Sequence, residues 1–139
     1  MEDGYISPAA AAESQSRRQV GSIFGEALTR VRSQIESGNL PLADRAIGEE
    51  VAMIIAEVYI LPDTYDVRIA GGKLPAGTVK EIFEKIDNAR VAEVIRRYRA
   101  IRYEIKHTKT YLRTALYNSV FEFESRLENE ALSDWGSPT

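Results

Sequence analysis

The chain has 139 residues, 44% of them hydrophobic and 28% charged, which is enough for one globular domain with a core of its own. It contains no cysteine, which excludes disulfides and thiolate metal sites, and no stretch approaches the roughly 20 apolar residues of a spanning helix. The net charge of −3 argues against nucleic-acid binding by the surface as a whole.

Residues 1–13 combine Gly4, Pro8 and the run Ala9 to Ala12 without a periodic apolar face, so a flexible leader or linker is expected there. They have neither the basic start nor the apolar length of a signal peptide, and a cytoplasmic location is the expectation. Residues 14–132 read as one helical domain, followed by a flexible tail at 133–139.

Val20, Ile23, Phe24, Ala27, Leu28, Val31 and Ile35 recur at helical spacing, and Gly38-Asn39 supplies a stop. Pro41 suits the first turn of a second helix, whose stripe is Ile47, Val51, Ile54, Ile55 and Val58, before Pro62-Asp63 ends it. From Tyr65 to Ala70 the pattern alternates, Val67 and Ile69 against Arg68, and Gly71-Gly72 closes what reads as a single extended hook.

A third helix starts either at Pro75 or at a Thr78 cap with Glu81 three residues on, and faces the core with Val79, Ile82, Phe83 and Ile86. Asp87 can cap a fourth, with Val91, Val94, Ile95, Tyr98, Ile101 and Ile105 on its buried face. The last helical region takes Tyr111, Leu112, Ala115 and Leu116 and extends toward Leu132. The fold class expected is all-α, a compact bundle of about five helices with one short extended hook.

Charge is distributed unevenly along this frame. Between Asn88 and Arg113 eight Lys or Arg face only Glu93 and Glu104, a local +6 that leaves −9 for the rest of the chain. On a continuous helix Arg99, Arg102, Lys106, Lys109 and Arg113 would fall within about 80° of one another, a ridge able to follow phosphates. The other reading is a solvated face, or one paired with acidic side chains after Asn118. Tyr98, Tyr103, Tyr111 and Tyr117 interleave with the basic run; Tyr98 and Tyr111 occupy packing positions, which leaves Tyr103 as the exposed ring able to stack on a base.

Catalysis has little footing. His107 is the only histidine, lies among cations, and has no Ser or Asp placed to complete a triad. Gly71-Gly72-Lys73 lacks the spacing and the Ser/Thr of a phosphate loop and reads as a turn. Glu49-Glu50 with Glu57, or Glu81 with Glu84, could hold a hard cation, but the plainer account is exposed helical glutamates. Neither a cofactor nor a metal is expected.

Three segments together carry a resemblance: Val67-Arg68-Ile69-Ala70-Gly71, Pro75-Ala76-Gly77-Thr78-Val79-Lys80, and the run from Ile105 through Lys109, Tyr111-Leu112 and Leu116-Tyr117-Asn118. From about Arg17 to Asn118 the chain resembles the C-terminal, DnaD-like and host-adapted domain of RepA-type replication initiators of Gram-positive plasmids and integrative elements. The resemblance implies a non-catalytic part in starting mobile-element replication, beside a winged-helix domain that binds the origin. The partners expected are DNA, bound weakly and salt-dependently through the ridge of Arg99, Arg102, Lys106, Lys109 and Arg113 that charge and spacing single out, and/or a host replication protein meeting Tyr103, Tyr117 and Asn118. Two departures stand out. Ser119-Val120 replaces the family's usual Pro after Asn-Ala, so the helix either closes at Asn118 or continues, and His107-Thr108 displaces the usual Asn. A different class of function, a protein adaptor or inhibitor using the acidic surface, is the alternative.

Overall fold

The structure, a computed structural model, describes the backbone of residues 8–136 and the side chains of residues 21–122. Helix α1 (Pro8–Gln34) is followed by two short 3-10 turns, Ser37–Asn39 and Leu42–Asp44, then α2 (Arg45–Tyr59), β1 (Asp66–Ile69), β2 (Gly72–Pro75), α3 (Ala76–Phe83), α4 (Asn88–Arg99) and α5 (Thr108–Gly136). The fold is mostly helical, as the apolar periodicity predicts. Of the expected leader, residues 1–7 lie outside the described residues, while helix begins at Pro8, five residues or more before the expected boundary. The expected tail is helical as far as Gly136, and residues 137–139 are outside the described residues.

Helix α2 is the centre. Val51, Ala52, Ile54, Ile55, Ala56 and Val58 are all buried, so the apolar surface wraps beyond one stripe, as it must for a helix packed on several sides. Its neighbours are α1, α3, α4 and α5. Phe83, Ile86, Val91, Ile95, Leu112 and Leu116 complete the core, each at 1% exposure or less.

Polar side chains close the helix ends, whose last carbonyls have no partner within the helix. Gln34 of α1 donates from Nε2 to the carbonyls of Phe83 (2.8 Å) and Ile86 (2.9 Å), closing α3. Asn88 of α4 donates to the carbonyls of Ile35 (3.1 Å) and Glu36 (3.3 Å), closing α1. Lys80 of α3 donates to Leu61 O at 2.5 Å and pairs with Asp63 at 2.8 Å, setting a cation at the C-terminal end of α2. The expected cap on α4 is present: Asp87 accepts from the amide of Arg90 at 3.0 Å. Pro75 takes the cap position of α3, so of its two expected starts the earlier is the nearer.

The hook is a hairpin. β1 pairs antiparallel with β2, Val67 opposite Leu74 and Arg68 opposite Lys73, through a two-residue turn of Ala70 and Gly71. Both turn residues have positive φ, 52° and 80°, the signature of a type I′ turn, whose twist suits paired strands. Val67 and Ile69 are buried and Arg68 is exposed, as the alternation implies. The second strand escapes a sequence reading because Gly72-Lys73-Leu74-Pro75 is too short to alternate and ends in proline.

Candidate nucleic-acid interface

The continuous basic helix does not form. Helix α4 stops at Arg99, residues 100–107 are non-helical, and α5 starts afresh at Thr108. Ile101 and Ile105, expected on the buried face of α4, therefore lie in this linker and are half-buried. The reason is tertiary: α5 must fold back against α4, α2 and α3 to bury Leu112 and Leu116, and a helix running straight on would carry both into solvent.

The five ridge cations accordingly separate into four places. Arg99 donates to the carbonyl of Ala43 and pairs with Asp44 at 3.0 Å. Lys109 pairs with Glu57 of α2 at 2.5 Å. Arg113 turns to the hairpin, where Nη1 donates to Arg68 O at 3.1 Å, and its Nε is buried without a hydrogen-bond partner. Arg102 and Lys106 stand on the exposed linker, and neither forms an ion pair with another described residue.

Elsewhere on α4 charge is neutralised locally. Arg96 grips Glu93 with two hydrogen bonds, of 2.9 and 2.7 Å, and Arg97 reaches both Glu93 (3.0 Å) and Glu122 of α5 (2.5 Å). The Arg96 hydrogen bonds, joined by that from Arg97, hold the Glu93 carboxyl down at about 2. Arg97, which is not one of the five ridge residues, thus ties α4 to an acidic side chain beyond Asn118, whereas the ridge residues Arg99 and Lys109 pair with carboxylates earlier in the chain.

Tyr103 is 70% exposed, on the linker between Arg102 and Glu104. Tyr117, expected to meet a partner, is half-buried instead and lies 5.0 Å from the Phe121 ring, a packing contact within α5. Asn118 does not close the helix. It is exposed in mid-helix, because Ser119 and Val120 behind it are buried and the Ser119 hydroxyl donates to Leu116 O at 2.6 Å.

The hairpin adds cations that the sequence pattern does not single out. Arg68 and Lys73 are direct cross-strand partners on the exposed face. Only the alternation of β1, extended across a turn, could have placed them together. Of the glutamates considered for a metal, Glu49 pairs with Arg32, Glu57 with Lys109 and Glu84 with Arg30. Among the described residues no three His, Asp or Glu converge, and no helix is long and apolar enough to cross a membrane. Compared with known proteins, the chain matches no family model, no curated sequence and no solved structure.

Proposed function

We propose that this chain is a non-catalytic domain of mobile-element replication initiation that contacts a nucleic-acid strand through the linker between α4 and α5. The observation that carries the reading is the pair Arg102 and Lys106, exposed and without an ion-pair partner among the described residues, flanking the exposed ring of Tyr103. Cations supply phosphate affinity through counterion release, and an exposed ring offers a stacking platform that favours unpaired bases. The replication setting rests on the resemblance carried by the hairpin, α3 and α5 segments.

Fluorescence anisotropy with a labelled single-stranded oligonucleotide and the matching duplex, at two salt concentrations, tests it. Binding is expected to weaken with salt and to vanish in the double variant Arg102→Glu, Lys106→Glu, whose thermal midpoint stays that of the parent. Absence of binding to either probe at low salt overturns the proposal.

The internal neutralisation of Arg99 and Lys109 favours a second reading, an adaptor that uses the acidic remainder of the surface on a basic protein partner. It requires capture of such a partner that survives the Arg102→Glu, Lys106→Glu change.

A further inference from the structure

Beside the hairpin turn lies a groove of about 450 Å³ whose walls include Arg68, Gly71, Gly72 and Lys73 on one side and Thr110 in the first turn of α5 on the other. Arg68 and Lys73 face each other across the strands. Like charges placed directly opposite weaken a strand pair, and neither side chain forms an ion pair with any described residue. Arg113 brings a third cation under β1 through its bond to Arg68 O, also without an ion pair among the described residues.

The surroundings are arranged for a ligand with oxygen acceptors. A Cβ added at Gly71 or Gly72 would meet nothing within 4 Å, so the turn leaves its backbone open to an approaching group. The turn is fixed to α5 because Thr114 Oγ1 accepts from the amide of Ala70 at 3.1 Å, one helical turn beyond Thr110. Gly71-Gly72-Lys73 is no P-loop, yet its cations and open backbone meet the same chemical demand by another route.

We propose that this groove binds a phosphate group, which sits between Arg68 and Lys73 and relieves their mutual repulsion. The source we assign is a backbone phosphate of a nucleic-acid strand; that assignment rests on the function proposed above, whereas the groove itself stands on its own geometry.

The test compares the parent chain with Arg68→Gln, Lys73→Gln, a change at two exposed positions that should leave the thermal midpoint unchanged or raised. With the single-stranded probe at about 50 mM salt, the double variant should bind roughly tenfold more weakly for each phosphate it no longer holds. The slope of log affinity against log salt should fall by about 0.7 for each such phosphate. The amide resonances of Gly71, Gly72, Lys73 and Thr110 should shift on adding the oligonucleotide to the parent.

If Arg102→Glu, Lys106→Glu abolishes binding while Arg68→Gln, Lys73→Gln changes neither affinity nor slope, the groove assignment is wrong and the linker reading survives. If no oligonucleotide binds, titration with inorganic pyrophosphate decides. Shifts confined to the groove amides and abolished in Arg68→Gln, Lys73→Gln support a phosphate site without a nucleic-acid role, and no shift overturns both.

Discussion

The hydroxyl of Tyr59 donates to the side-chain carbonyl of Gln34 at 2.8 Å, which turns the Gln34 amide nitrogen toward the open end of α3. One phenol thus orients the group that satisfies two main-chain carbonyls, those of Phe83 and Ile86. Burial holds the Tyr59 phenol above its ordinary range, so it remains a donor through neutral pH.

Removing the two partners should therefore have unequal effects. Tyr59→Phe is expected to cost about 0.5–1.5 kcal/mol, one hydrogen bond, whereas Gln34→Leu leaves the Ile86 carbonyl without its donor and strips one of two donors from Phe83 O, which also accepts from the Ile86 amide, and should cost about 1–3 kcal/mol. Urea unfolding of both variants measures this; a smaller loss for Gln34→Leu than for Tyr59→Phe contradicts the arrangement.

At the hairpin turn the residue type does not suit the backbone. Ala70 holds φ of 52°, a region that costs an ordinary L-residue on the order of 1 kcal/mol and that Asn tolerates better. Ala70→Asn should stabilise the domain by up to about 1 kcal/mol. Gly71→Val should destabilise it by more than Gly71→Ala, since Gly71 is held at 80° and a branched side chain resists that region most. Thermal midpoints of the three variants would show the order, and a destabilising Ala70→Asn would refute the type I′ assignment.

Ile55 of α2 and Leu112 of α5 both stand at 0% exposure in the single core. Truncation of either to Ala should cost about 2–5 kcal/mol, a large fraction of the stability of an ordinary domain. A change below about 0.5 kcal/mol in denaturant titration would mean the side chain is not enclosed.

Glu93 sets an acid limit. Its folded value of about 2 lies below the ordinary 4.5, so its contribution is complete above about 4.5 and lost as pH falls toward 2. The side chain is 39% exposed, and solvent screening confines the effect to at most about 1 kcal/mol. Stability of Glu93→Gln measured from about pH 5 down to about pH 2 should fall less steeply than that of the parent; parallel curves would show that the carboxylate's pairing does not survive in solution.

On the linker, Glu104 stands between the two cations assigned to phosphate and forms no ion pair among the described residues. A carboxylate about 8 Å from a bound phosphate repels it by about 0.5 kcal/mol in water, so Glu104→Gln should tighten oligonucleotide binding roughly twofold. Unchanged or weaker anisotropy titrations would move the binding site away from this segment.

What the sequence discloses follows from the range of the forces involved. Apolar stripes report on local geometry, and Val51, Ile55, Phe83, Ile95, Leu112 and Leu116 are buried where the spacing assigns them. The Asp87 cap, a hydrogen bond across three residues, is equally legible. The break at Ala100 is not, because no Gly or Pro marks residues 100–107 and the spacing of Ile101 and Ile105 imitates continued helix. The consequence reaches the site: a ridge drawn at about 100° per residue dissolves once its members belong to two helices and a linker. Arg99 and Lys109 meet Asp44 and Glu57, carboxylates far away in sequence, and no local pattern records such separations.

The exchange of end groups among α1, α3 and α4 has a consequence for how the chain can change over evolutionary time. Gln34 stops one helix from another and Asn88 does the same in turn, so a residue inserted near either would displace a donor from carbonyls on a different element. Length is thereby fixed in that half of the domain. Residues 100–107 lie under no such tie: apart from the bonds of Ala100 and Ile101 to the end of α4, their main chain makes few hydrogen bonds, and most side chains there are exposed. Variation in loop length between related chains should collect in this stretch, and with it differences in what each one binds.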